Sequence, residues 1–178
     1  MNDRLQMLLD HFDIRETIEA YVHGCDRGDA VAVTDCYHLD SYDHHGPLAG
    51  PGHEFAQNCL RDLKTYWNSC THLLGQSRIK VEGDSAGAET FYFASLTRDQ
   101  DGEQMLDQQI GRYIDRLERR EDGVWRIVDR RCIQEWAYTI PLGDSFVDRS
   151  EFLKGIRSTE DLSYGVLGLE QGRSRIVR

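Results

Sequence analysis

The sequence has no long apolar run. Its longest clean stretches, Ala30-Val31-Ala32-Val33 and Phe91-Tyr92-Phe93-Ala94, fall far short of the roughly 18 residues that a membrane-spanning helix needs. Positive charge is also scarce: 21 Lys and Arg face 31 Asp and Glu, a formal net charge of −10. That balance disfavours DNA, RNA and anionic lipid surfaces, since each selects a basic face. Met1-Asn2-Asp3-Arg4 does not open a basic segment followed by an apolar one, so no secretory signal is expected. The five cysteines (Cys25, Cys36, Cys59, Cys70, Cys132) are an odd number without a C-x-x-C pair. A disulfide framework, a zinc ribbon and a thioredoxin-type site all lack support. The thiols read as small buried hydrophobes in a reducing compartment, and the expected location is cytoplasmic. No G-x-G-x-x-G, G-x-x-x-x-G-K or G-x-S-x-G pattern occurs, so nothing calls for a nucleotide cofactor or for serine-hydrolase chemistry.

What is present is a globular mixture: 178 residues, 39% hydrophobic and 29% charged. The length suits one domain with a true core. The first part carries helical spacing. Leu5, Leu8, Leu9 and Phe12 form one such set. Asp13-x-x-Glu16 then reads as a capping box opening a second helix through Ile14, Ile18, Tyr21, Val22 and Cys25. Gly28 suits the helix end, and Asp29 can cap a short helix from Ala30. Gly50-Pro51-Gly52 punctuates before an amphipathic helix over 53–67, carrying Phe55, Cys59, Leu60 and Leu63. Beyond Cys70 the pattern turns to strands over 71–82, 86–98, 108–119 and 124–139, joined by Gly-Asp and Asp-Gly turns. Such turns predict an antiparallel meander, and the whole an α+β domain with helices on one face of a curved sheet. The tail over 141–178 has weak periodicity and is expected to pack on the domain or on a neighbouring subunit.

Two polar residues fall where this architecture would bury them. Asp26 ends the apolar second helix and His72 opens the first long strand. A carboxylate beside an imidazole is the simplest general-base device: it fixes the tautomer and favours the charged ring. The alternative is that Asp26 caps a helix or pairs with an arginine while His72 is an ordinary histidine. Spacing leaves both open. Period-2 alternation puts His72 on one face with Leu74 and Gln76, and Leu73, Ile79 and Val81 on the other. In Asp129-Arg130-Arg131, alternation sends Arg130 inward with Val128 and Cys132. There its guanidinium could hold an anion or pair with Asp26 or Glu89. Tyr21 could offer a phenol to the same cavity or simply pack. Asp40-Ser41-Tyr42-Asp43-His44-His45-Gly46 has metal-ligand residue types. Adjacent strand histidines face opposite sides, however, and cannot share one ion. No metal site is therefore assigned, and Tyr42 and His45 read as pocket or edge-strand residues.

Taken together, Ile18-x-x-Tyr21, Cys25-Asp26-Arg27-Gly28-Asp29, Thr71-His72-Leu73, Gly83-Asp84-x-Ala86 and the Tyr113-to-Ile127 segment with Asp122-Gly123-x-Trp125 resemble the SnoaL-like group of the NTF2-like superfamily. The resemblance spans about residues 5–140. It implies a cone in which N-terminal helices close over a strongly curved, mixed, mostly antiparallel sheet around a pocket. Scytalone dehydratase and hexachlorocyclohexane dehydrochlorinase members use an Asp–His dyad without a cofactor, and Asp26 and His72 fall on that dyad. Arg130 falls on the dehydrochlorinase's pocket arginine. There are departures: Tyr21 stands where the dehydrochlorinase has a lysine, and Leu96-Thr97 where scytalone dehydratase has its second histidine. The implied function is a cofactor-independent lyase acting on a small apolar, aromatic or cyclic compound, with Tyr21, Tyr42, His45 and Arg130 contacting the substrate. A non-catalytic binding or assembly subunit and a ketosteroid-isomerase-like isomerase are the rival readings, since fold alone does not fix function. A homo-oligomer, dimer or trimer, formed through the outer sheet face is the implied partner.

Overall fold

The computed structural model describes residues 3–143 and 151–169. A long helix α1 (Asp3–Arg27) leads into α2 (Ala30–Asp35), β1 (Tyr37–His44), a 3-10 turn (Gly46–Leu48), the two-residue β2 (Gly50–Pro51) and α3 (Gly52–Tyr66). Four long strands follow: β3 (Ser69–Glu82), β4 (Ser85–Gln100), β5 (Glu103–Arg119) and β6 (Trp125–Pro141). A last short helix is α4 (Leu162–Leu167). The sheet runs β2-β1-β6-β5-β4-β3. All its neighbours are antiparallel except β1 and β6. The fold is thus α+β, with helices packed on a mixed sheet that curls without closing.

Two expectations need correction. α1 is one helix, not two, because residues 3–12 are themselves helical and a cap requires a chain entering in a non-helical conformation. Asp13 therefore lies inside the helix, where its carbonyl accepts from the Thr17 hydroxyl at 3.1 Å. Leu5, Leu8, Leu9 and Phe12 lie on the exposed half of α1 rather than in the core. The second correction concerns β3. Its register slips between Leu74 and Ser77, and one slipped residue exchanges the two faces of a strand. Ile79 and Val81 accordingly pack against the core, not away from it.

The capping expectations hold further on. Gly28 takes the left-handed conformation (φ +67) that glycine adopts at no steric cost. The Asp29 side chain accepts from the Ala32 amide at 3.0 Å, as an N-cap does. Phe55, Ala56, Cys59 and Leu60 share the buried face of α3. Each fully buried large side chain there contributes about 1.5–3 kcal/mol relative to exposure. α1 is pinned to β6 at both ends of one segment: the Thr17 hydroxyl donates to the Trp125 carbonyl at 2.9 Å, and the Trp125 indole to Asp10 at 3.3 Å. Where the sheet bends, β5 and β6 slip register at Gly111. A Cβ at Gly111 would collide with the Ile133 carbonyl and the Tyr92 phenol, so only glycine lets these chains approach.

Beyond β6, residues 151–169 lie against the helices. Arg27 pairs with Asp161 at 3.0 Å, and the Tyr164 hydroxyl donates to Asp29 at 2.9 Å. One Arg157 nitrogen donates to the carbonyls of Leu63 and Trp67, at 3.1 and 2.7 Å, at the C-terminal end of α3. The rest of the expected tail, 144–150 and 170–178, lies outside the described residues. Among the described residues no helix is long and apolar enough to cross a membrane.

Candidate active site

Asp26 sits in the last turn of α1, where that helix crosses the beginning of β3. One carboxylate oxygen lies 2.7 Å from His72 Nδ1, and the other accepts the His72 backbone N–H at 2.9 Å. A carboxylate only accepts, so Nδ1 carries the proton and Nε2 is the nitrogen left for chemistry. Both side chains are about nine-tenths buried. Burial by itself would depress the ring's pKa, but the hydrogen bond to Asp26 and the neighbouring Cys70 thiol override it and raise the pKa to about 10. Asp26, Cys70 and His72 each bring a potential ligand atom within 4.8 Å of the others. The shortest of these separations, Asp26 to His72, is a hydrogen bond already made, with the Cys70 thiol 3.7 Å from the same ring nitrogen.

His72 opens onto a cavity of about 430 Å³, within the size range of small-molecule sites. Tyr21, Cys25, Cys59, Leu63 and Leu96 make its walls largely apolar, while Asp62, Asp107, Gln108 and Thr139 add polar groups. Neither Phe91 nor Trp136 is part of its lining. Phe93 and Trp136 instead meet at a centroid separation of 6.4 Å, on the sheet face opposite buried Tyr92 and Ala94.

The remaining sequence candidates divide. Tyr21 lines the cavity, edge-on to Tyr37 and Tyr113, and burial pushes its phenol pKa well up. His45 lines the same cavity. It stacks on Phe55 at 4.9 Å, and its Nδ1 lies 3.3 Å from fully buried Asp43. Asp43 also accepts the Tyr37 hydroxyl at 2.5 Å. Tyr42 is not brought to the cavity. In the second half of β1 the buried positions are Ser41 and Asp43, so alternation turns Tyr42 outward against the His44 ring, at 4.7 Å. His44 in turn meets Asp129 at 3.4 Å, and Asp40 meets Arg120. Apart from the Asp43–His45 pair, the acidic and histidine side chains of this segment therefore disperse instead of converging.

Arg130 points inward but does not reach the cavity surface. It is fully buried, with Nε and Nη2 each 2.7 Å from an Asp115 oxygen. The faces of Tyr21 and Tyr113 lie 4.1 and 4.2 Å from its guanidinium carbon. Its partner is neither Asp26 nor Glu89. Asp115 stands directly opposite Arg130 in the β5–β6 register, a pairing visible only once the strands are aligned.

The SnoaL-like domain model matches residues 6–131. The chain belongs to the SnoaL-like domain family. Among solved structures it is similar to LinA, at 19% identity and a TM-score of 0.71, covering 83% of this chain and 99% of that one. It is likewise similar to the hexachlorocyclohexane dehydrochlorinase LinA-type3 from Novosphingobium barchaimii LL02, at 18% identity and TM-score 0.69, covering 81% and 98%. A scytalone-dehydratase-like protein from Novosphingobium aromaticivorans DSM 12444 matches at 16% identity and TM-score 0.67, covering 82% and 99%. At these identities the likeness is one of fold. Comparison with curated proteins found no match.

Sequence reasoning passed over four residues of this site. Cys70, two residues before His72, shares its face of β3, and that spacing was a usable signal. Asp43 was noticed only as a possible ligand, although it alternates with Ser41. Tyr113 and Trp67 gave no sign of their place in the cavity wall.

Proposed function

We propose that this SnoaL-like protein is a cofactor-independent lyase. His72 Nε2 removes a proton next to an activating group of a small, largely apolar substrate. Asp26 orients the ring and stabilises the imidazolium that results, a device that typically contributes about 10²–10⁴-fold in rate. The observation that carries this reading is the two-point Asp26–His72 contact on the wall of a ligand-sized cavity. The walls favour an aromatic or cyclic skeleton, and the protein's LinA and scytalone-dehydratase-like neighbours agree with elimination chemistry. Tyr21 is the phenol placed to contact the substrate. Arg130 supports the site from behind Tyr21 and Tyr113.

The test uses β-hydroxybenzylacetone and its β-chloro counterpart, which both eliminate to the strongly absorbing enone benzylideneacetone. Wild-type protein should form the enone faster than buffer does, and His72→Ala and Asp26→Asn should lower the rate by about 10²–10⁴. Turnover near wild-type in either variant overturns the mechanism. The same reading takes residues 1–140 as the catalytic domain and 141–178 as its packing tail. It also takes the outer face of β4–β6 as the contact through which copies of the chain associate.

A further inference from the structure

The cavity holds a second imidazole–carboxylate pair that the elimination reading leaves unused. His72 comes from β3 at one edge of the sheet, whereas His45 follows β1 near the other, with β6, β5 and β4 between them in the sheet order. The curl of the sheet brings both rings to one cavity. Each Nδ1 is bonded to a buried carboxylate, Asp26 in one case and Asp43 in the other. The second pair is also buttressed: Asp43 accepts from the Tyr37 phenol, and the His45 ring lies flat on Phe55. A histidine recruited only as cavity wall would need neither a carboxylate sealed from water nor a phenol behind that carboxylate.

We propose that His45, held by Asp43, is the general acid of the reaction that His72 begins as base, so that the group expelled in this cavity is an oxygen leaving as water or an alcohol. This inference rests on the elimination reading above. The balance is as follows. The substrate C–H bond breaks and its proton passes to His72 Nε2, while the bonding pair becomes the new C=C bond. The C–O bond breaks, its pair stays on oxygen, and the His45 Nε2 proton completes the departing hydroxyl compound. One ring gains a proton and the other loses one, so exchange with solvent through the open cavity resets the pair. A departing halide needs no proton, which is why a second acid points to oxygen.

The charge state of His45 agrees. Burial disfavours its imidazolium, but Asp43 and the neighbouring Cys132 thiol favour it, and the pKa rises to about 9. The groups around it are Asp43 and Cys132 on its own side of the sheet, Cys59 and Asp62 from α3, and Tyr37 beyond Asp43.

Two measurements test the proposal on the full chain. In the first, side-chain 15N NMR should show His45 as an imidazolium at neutral pH, turning neutral in Asp43→Asn. A neutral His45 in the wild type overturns the proposal. In the second, His45→Gln should slow dehydration of β-hydroxybenzylacetone by about 10² or more and slow loss of chloride from the β-chloro ketone by less than about threefold. Equal slowing of both, or of neither, overturns it. His72→Ala separates the two readings: persistent turnover there defeats the base assignment, whatever His45 does. If wild-type protein converts neither ketone, the elimination reading is overturned and this proposal with it, whereas a neutral wild-type His45 overturns this proposal alone.

Discussion

Arg130 and Asp115 meet in a two-bond pair with no exposed side-chain surface on either partner. Burial pushes the Asp115 carboxyl up, and the facing guanidinium opposes that push with both of its hydrogen bonds. Removing one member of such a pair strands the other charge, at a cost of about 3–5 kcal/mol, whereas replacing both by apolar groups of similar volume is often near neutral. Arg130→Met should therefore destabilise the fold by that amount in urea unfolding, and Arg130→Met with Asp115→Leu should recover most of it. If the single variant unfolds at the wild-type urea midpoint while elimination is lost, Arg130 acts on the substrate and not through the walls of the cavity.

The Asp26–His72 contact links stability to pH. The ring's pKa rises from an ordinary 6.5 to about 10 on folding, and each unit is worth roughly 1.4 kcal/mol. A pKa raised on folding gives stability that is fully present below the unfolded value and is lost as pH climbs through the folded one. The stability gap between wild type and Asp26→Asn should thus be widest near pH 6 and should shrink steadily toward pH 10. Urea midpoints measured across that range provide the check. A gap that grows with pH would mean the ring is neutral in the folded protein.

The order of helices and strands, the Asp29 cap and the turn glycines were legible because each rests on local chemistry. The break between helices expected at Asp13 failed because a capping pattern says nothing about whether the preceding chain is already helical. The faces of Ile79 and Val81 were misread for a related reason: a strand pattern is periodic only until a bulge, and nothing in Gly75-Gln76-Ser77 declares one. The Asp26–His72 meeting was legible only through family resemblance, since residues 46 positions apart carry no spacing signal. Arg130's partner needed the β5–β6 register, which alternation alone does not supply.

The tail is placed to hold the end of α3 and, with it, Trp67, which lines the cavity and whose indole donates to Asp107 at 2.9 Å. Arg157 donates to the Trp67 carbonyl just past the helix end and adds a second donor to the Leu63 carbonyl, which already accepts the Trp67 N–H. Arg157→Ala should raise KM for β-hydroxybenzylacetone several-fold with kcat little changed, because the wall moves and the dyad does not. Tyr164→Phe, which loses one hydrogen bond to Asp29, should cost about 0.5–1.5 kcal/mol in unfolding free energy. Equal kinetics for Arg157→Ala and wild type would show that the tail leaves the cavity alone.

The outer face of β4–β6 carries Phe93 and half-exposed Trp136, and large apolar side chains in contact on a surface mark association sites. Light scattering should give a mass of two or three times the 20.5 kDa chain. Trp136→Asp with Phe93→Asp should return it to the monomer without altering the Asp26–His72 contact. A wild-type monomer at high concentration would remove the outer face as an interface.

The two rings together fix the shape of the pH–rate profile. As base, His72 must be neutral, a fraction that grows with pH up to about 10. As acid, His45 must be charged, a fraction that shrinks above about 9, so the rate should rise to about pH 9 and fall above about pH 10. Because the base titrates above the acid, both are correctly protonated in no more than about a tenth of the molecules, even at the optimum between the two values. From pH 7 upward, kcat/KM for β-hydroxybenzylacetone should climb nearly tenfold per unit before turning over. Asp43→Asn removes the carboxylate that favours the charged ring, so the rise should end at lower pH and the maximal rate should drop, while the fall above about pH 10 stays in place. For the β-chloro ketone, corrected for its spontaneous loss of chloride, the falling limb should be absent. A profile flat from pH 7 to 10, or one whose falling limb is the same for both ketones, would mean that His45 gives no proton to the departing group.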